Sequence, residues 1–96
     1  MKKRSYIKLS DADVRRFLKG LEILVVSFDR LGSTFRDDPV RLAIETDRFL
    51  SEANAFKILS TMRKTLWEAC DSQKTKAQVN QLEKSLEKVN IWRQKS

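Results

Sequence analysis

Residues 10–32 read SDADVRRFLKGLEILVVSFDRLG. This stretch decides the fold class, because its apolar residues return at helical spacing. Val14, Phe17, Leu18, Leu21, Leu24, Val25, Phe28 and Leu31 fall on one face of a 3.6-residue repeat. The start is well marked. Ser10 is the N-cap, Asp13 is its N3 partner in a capping box, and Leu9 and Val14 form a hydrophobic staple. Asp11 and Asp13 also suit the positive end of the helix dipole. Gly32 is the natural stop, with Arg30 in the last turn. Ile23 and Val26 lie off the main face, so the second half of the helix is apolar around much of its circumference. That predicts burial on two sides, by the chain itself or by a partner, and marks both residues as partner-binding. Gly20 sits inside the helix at a cost of about 1 kcal/mol relative to alanine. Either it admits a close neighbour or it is merely tolerated.

Downstream, Asp38 and Pro39 make a strong second start, as N-cap and N1. Helical patterning then runs through Leu42, Phe49, Leu50, Ala53, Phe56, Leu59, Met62, Leu66 and Ala69 to about Cys70. With no Gly or Pro inside it, this reads as one long helix. Its weakest spot is Ser51-Glu52-Ala53-Asn54, where a break would give two helices. A third start is Thr75 with Gln78, a T-x-x-Q capping box. Val79, Leu82, Leu86, Val89 and then Ile91 or Trp92 continue it as a narrow seam. The expected fold is therefore all-α: an antiparallel bundle of three helices, or four if the middle helix breaks near 51–54. Residues 1–96 form one domain with a basic N-terminal arm at 1–8.

Composition agrees with this reading and narrows the function. The chain holds two glycines and one proline, too few turn formers for a β-sandwich. It has no histidine and one cysteine, which removes the commonest general base and any cysteine or histidine zinc site. Cys70 reads as a small buried residue and fits a reducing compartment. There is no Gly-rich phosphate loop. Asp37-Asp38 is explained by capping, and Glu83 and Glu87 by a solvated helix face. The expectation is no catalysis, no metal and no cofactor. No apolar run is long enough to span a bilayer, and the polar residues after Met1-Lys2-Lys3-Arg4 do not suit a signal peptide. The expected address is cytoplasmic, with no membrane partner.

The net charge of +7 is unevenly spread. Residues 1–19 hold seven Lys/Arg and two acids, residues 20–73 seven and nine, and residues 74–96 six and two. Uneven basic charge is the footprint of a polyanion partner. An up-down-up bundle would bring the separate excesses to one end. It would gather Lys2, Lys3, Arg4, Lys8, Arg15, Arg16, Lys19, Arg63, Lys64, Lys74 and Lys76. Such residues contact phosphate rather than read bases, whether in RNA or DNA. Arg15 and Arg16 could grip phosphate bidentately. Tyr6 either anchors the arm or stacks on an unpaired base. Trp67 reads as a bundle-edge residue, and Trp92 as a packing cap or partner contact. No helix-turn-helix spacing is present.

The Ser10–Leu31 helix, the long Pro39–Cys70 helix, the basic arm Lys2-Lys3-Arg4 and the lack of catalytic groups together resemble the small helical subunits of CRISPR effector complexes. That resemblance implies a non-catalytic accessory subunit, touching nucleic-acid backbone and neighbouring protein subunits. It carries over no individual functional residue. The other expectations are a helical protein–protein adaptor or inhibitor, or a self-associating structural bundle.

Overall fold

The computed structural model describes residues 6–95, and these form four helices. They are α1 (Asp11–Thr34), α2 (Pro39–Glu52), α3 (Ala55–Gln73) and α4 (Lys76–Leu86). No strand occurs among the described residues. The fold is the expected all-α antiparallel bundle, in its four-helix form.

All three helix starts read from the sequence are in place. Ser10 Oγ accepts from the Asp13 amide at 3.1 Å. An Asp38 carboxylate oxygen accepts from the Arg41 amide at 3.0 Å, with Pro39 at the first helical position. Thr75 and Gln78 form the full reciprocal box: the Gln78 amide donates to Thr75 Oγ1 at 3.2 Å, and the Thr75 amide to Gln78 Oε1 at 3.0 Å. Asp13 spends its carboxylate differently from a capping box, pairing with Arg16 at 2.6 Å.

The helix ends depart from expectation in three places. First, α1 does not stop at Gly32, which is helical with no positive φ; it runs on to Thr34 and is capped by Phe35. The Phe35 amide donates to the Leu31 carbonyl at 3.1 Å, and the Arg41 guanidinium lies over the Phe35 ring at 5.9 Å. A half-buried aromatic anchor and a cation above it therefore set the end, rather than glycine freedom.

Second, the single long helix is overturned. It breaks at Ala53-Asn54, where Asn54 adopts the left-handed conformation with φ 53°. Asparagine is the non-glycine residue that tolerates this region best, and it ends helices in the way glycine does. The Asn54 carbonyl then accepts from the Ile58 amide at 3.0 Å, opening α3.

Third, α4 ends at Leu86, short of Val89, Ile91 and Trp92, which are exposed and non-helical. Leu86 lines the same cleft as Leu59, near the start of α3. One more turn would carry α4 past the end of its support. The β-branched Val89 and Ile91 and the intervening Asn90 add little propensity to continue alone.

The arrangement follows one register. Lys8 meets Gln73, Arg16 meets Thr65, Gly20 meets Ile58, and Phe28 meets Phe49. Thus α3 covers the first half of α1 and α2 covers the second. The two run as one broken strut antiparallel to α1. The Phe28 and Phe49 rings meet edge-on with centroids 5.5 Å apart. α4 turns back along α3 and touches no other helix among the described residues. Leu82 and Leu86 face Leu59, Leu66, Trp67 and Cys70 there.

This packing is open. The buried hydrophobic residues are Phe17, Leu24, Ala55 and Cys70. The radius of gyration is 17.6 Å, against about 12–13 Å for a compact domain of this length. The accessible surface is 8928 Å², against roughly 5,700 Å² from the size scaling of folded monomers. Part of that excess is the exposed tail 87–95, and part is uncovered helix face.

Candidate nucleic-acid interface

Two hydrogen bonds fix which ends meet. The Lys8 amide donates to Gln73 Oε1, and Gln73 Nε2 donates to the Lys8 carbonyl, both at 2.7 Å. The side-chain amide of Gln73 thereby clamps the segment before α1 to the last turn of α3. Thr75, the cap of α4, follows two residues later. The start of α1, the end of α3 and the start of α4 therefore share one end of the molecule.

This end carries Lys8, Arg15, Arg16, Lys19, Arg63, Lys64, Lys74 and Lys76, with Asp11, Asp13, Glu68 and Asp71 as its acids. Lys2, Lys3 and Arg4 lie outside the described residues. Away from this end, residues 20–60 and 77–95 together hold nine bases and nine acids. The chain is thus electrically polar along its length.

The bases gather at one end but do not share one face. Arg15 and Lys19 sit beside Val14 and Leu18 on the outer surface of α1. Arg16 lines a groove of about 300 Å³ between α1 and α3, together with Lys57, Ile23 and Gly20. It is committed to Asp13 and donates to Thr65 Oγ1 at 3.5 Å, so it is less available than its neighbour Arg15. Arg63 lines the cleft between α3 and α4. Lys8 Nζ lies 5.8 Å from the Tyr6 ring centroid, and Tyr6 is 65% exposed. Arg15, Lys19, Arg63, Lys64 and Lys76 make no ion pair among the described residues. The basic end therefore wraps around the tip of the bundle instead of forming a flat patch. Trp67 is half-buried against α4, the edge position expected for it.

The exposed apolar surface extends well beyond Ile23 and Val26. Val26 is half-buried and Ile23 is 47% exposed on the α1–α3 groove. The larger uncovered surface is a stripe read from the sequence as core: Val14, Leu18, Leu21, Val25 and Phe28, all exposed. Periodicity showed that these residues share a face, but it could not show that the chain leaves half of that face uncovered. On α3, the residues lining the α1–α3 groove (Asn54, Lys57, Thr61) and those facing α4 (Leu59, Leu66, Cys70) fall on opposite flanks of the line where α3 meets α1. The α1 stripe falls on the α4 side. Together with the exposed Leu50, Leu59, Leu66, Leu82 and Leu86 it makes one broad apolar side. The groove with Arg16 and Lys57 opens on the other side.

Comparison with protein-family models, with curated proteins and with solved structures returns no match. Among the described residues, no helix is long and apolar enough to cross a membrane.

Proposed function

We propose that this chain is a non-catalytic accessory subunit that holds nucleic-acid backbone within a larger assembly. The observation that supports this reading is the Lys8–Gln73 clamp, which joins the basic start of α1 to the basic end of α3 and start of α4. A wrapped basic tip suits phosphates approached from several directions, and its exposed lysines and arginines supply counterion release without sequence readout. A nucleoprotein assembly of the kind implied by the CRISPR small-subunit resemblance belongs to the same proposal.

The test is fluorescence anisotropy with labelled RNA and DNA, single- and double-stranded, across a salt series. Affinity should fall steeply with salt and vary little with sequence. Replacing Lys8, Lys64 and Lys76 by glutamate should weaken binding at least tenfold, with helicity by circular dichroism unchanged. Binding by this variant at wild-type affinity, or a flat salt dependence in the wild type, would sink the proposal.

A second reading rests on a separate observation. The broad apolar side suits a protein neighbour, as an adaptor or structural subunit would require. The two surfaces are compatible in one molecule, since the bases lie around the tip and the leucines along one side.

A further inference from the structure

We propose that the apolar side is a homodimer interface: two copies pack antiparallel through the Val14–Phe28 stripe of α1, with the two α1 helices side by side at the centre. The inference rests on reading that side as a protein contact and does not depend on the polyanion reading.

The stripe is complementary to itself. A two-fold interface places one surface against its own copy, so residue i must suit residue j in both directions. Val14, Leu18, Leu21, Val25 and Phe28 are spaced 4, 3, 4 and 3 residues apart, the seam spacing of antiparallel helices. With Leu21 on the two-fold axis, Val14 meets Phe28 of the second copy and Leu18 meets its Val25. Small thus faces large at the ends, and leucine faces leucine at the centre.

The flanking charges fit the same register. Arg15, Lys19 and Glu22 line the outer edge of the stripe, and Asp29 lies beside Phe28 at its far end. Antiparallel packing about Leu21 sets Arg15 next to Asp29 of the second copy, and Lys19 next to its Glu22. Each such pair occurs twice by symmetry. The one like-charge approach is Glu22 to Glu22 near the axis, where Lys19 of both chains flanks it. The net charge of +7 does not oppose this contact strongly. Residues 14–29, which form the interface, hold three bases against two acids, and the other bases of the tip fall at opposite poles of the dimer.

Area points the same way. The chain exposes 8928 Å², roughly 3,000 Å² more than a folded monomer of its size. An obligate dimer covers about 1,000–2,500 Å² per partner. The exposed stripe of α1 is part of that excess, alongside the tail 87–95.

The experiment is sedimentation equilibrium of the full chain at micromolar concentrations, with circular dichroism as the folding control. The expected mass is twice 11.2 kDa. Leu21→Lys puts two cations on the axis and should give a monomer. Leu21 is already 39% exposed in the single chain, so a true monomer would accept the lysine with no change in mass or melting. Arg15→Asp and Asp29→Arg should each weaken association about tenfold, and the double variant should restore it. A wild-type monomer at all concentrations overturns the homodimer, as does a double variant no tighter than the singles. Either result leaves the anisotropy test of polyanion binding untouched, so the two proposals fail separately.

Discussion

The two glycines sit in the same helix with opposite surroundings. A Cβ built on Gly20 would lie 2.7 Å from Ile58 Cγ2, a branched methyl fixed close to its own backbone. A Cβ on Gly32 would meet nothing within 4 Å. Both positions are helical with negative φ, so alanine is conformationally acceptable at each. The difference is therefore steric. Gly32→Ala should stabilise the chain by about 0.5–1 kcal/mol, through helix propensity and a less flexible unfolded state. Gly20→Ala gains the same propensity but forces α1 and α3 apart, at a cost of about 1–3 kcal/mol. The net effect should be destabilising. Urea titrations of the two variants, followed by circular dichroism, check this; equal shifts of the same sign would contradict the close approach. The sequence alone left Gly20 open between close approach and tolerance. Only the position of Ile58, 38 residues away in the chain, decides it.

At the scale of the element, what the sequence made legible was chiefly where helices begin. Ser10, Asp38-Pro39 and Thr75-Gln78 are local chemistry: each side chain satisfies amides within three residues, so no tertiary knowledge is needed. The ends were less legible, because what stops these helices comes largely from other parts of the fold. Phe35 replaces Gly32 as the end of α1 because Arg41 covers its ring. α4 ends where α3 ceases to support it. The break between α2 and α3 lies between these cases. The weak stretch was visible, but the left-handed state of Asn54 was not. That state makes a prediction. Asn54→Gly should leave stability unchanged or slightly raised, since glycine takes φ 53° without strain. Asn54→Ala should lose about 1–2 kcal/mol, the penalty for a Cβ in the left-handed region. Thermal melts of the pair check it. If alanine were harmless, α2 and α3 would have to run on as the single helix that patterning alone suggests. The candidate site followed the same rule. The shared basic end was legible because helix order fixes which termini meet. The spread of those bases over several faces, and the pairing of Arg16 with Asp13, were not.

For the whole molecule, the question is what holds so open an arrangement together. Phe17, Leu24, Ala55 and Cys70 are the buried apolar residues among those described. The ion pairs of α2, Arg41–Glu45 and Arg48–Glu45 at 3.4 and 3.5 Å, join exposed arginines within one helix and add at most about 1 kcal/mol. A chain of 96 residues must overcome conformational entropy of order 100 kcal/mol, mainly by burying apolar surface. Here much of that surface remains in water, from Val14 to Phe28 along α1 and from Leu59 to Leu86 across α3 and α4. In the proposed homodimer, burial by association supplies what burial within the chain does not, so folding and dimerisation should be coupled. Coupling has a measurable consequence that a self-sufficient monomer lacks. The midpoint of thermal unfolding should rise with protein concentration, because two free chains form from each folded dimer. Each tenfold increase favours the dimer by about 1.4 kcal/mol. Unfolding two chains of this length releases roughly 0.4 kcal/mol per kelvin, so the midpoint should rise by about 3–4 °C per decade of concentration. Melts at several concentrations in fixed salt test this directly. A midpoint independent of concentration would mean that the chain is stable with its apolar side in water, and the coupling would be wrong. In the Leu21→Lys variant the dependence should vanish and the midpoint should fall, which ties the effect to the α1 stripe instead of to non-specific aggregation.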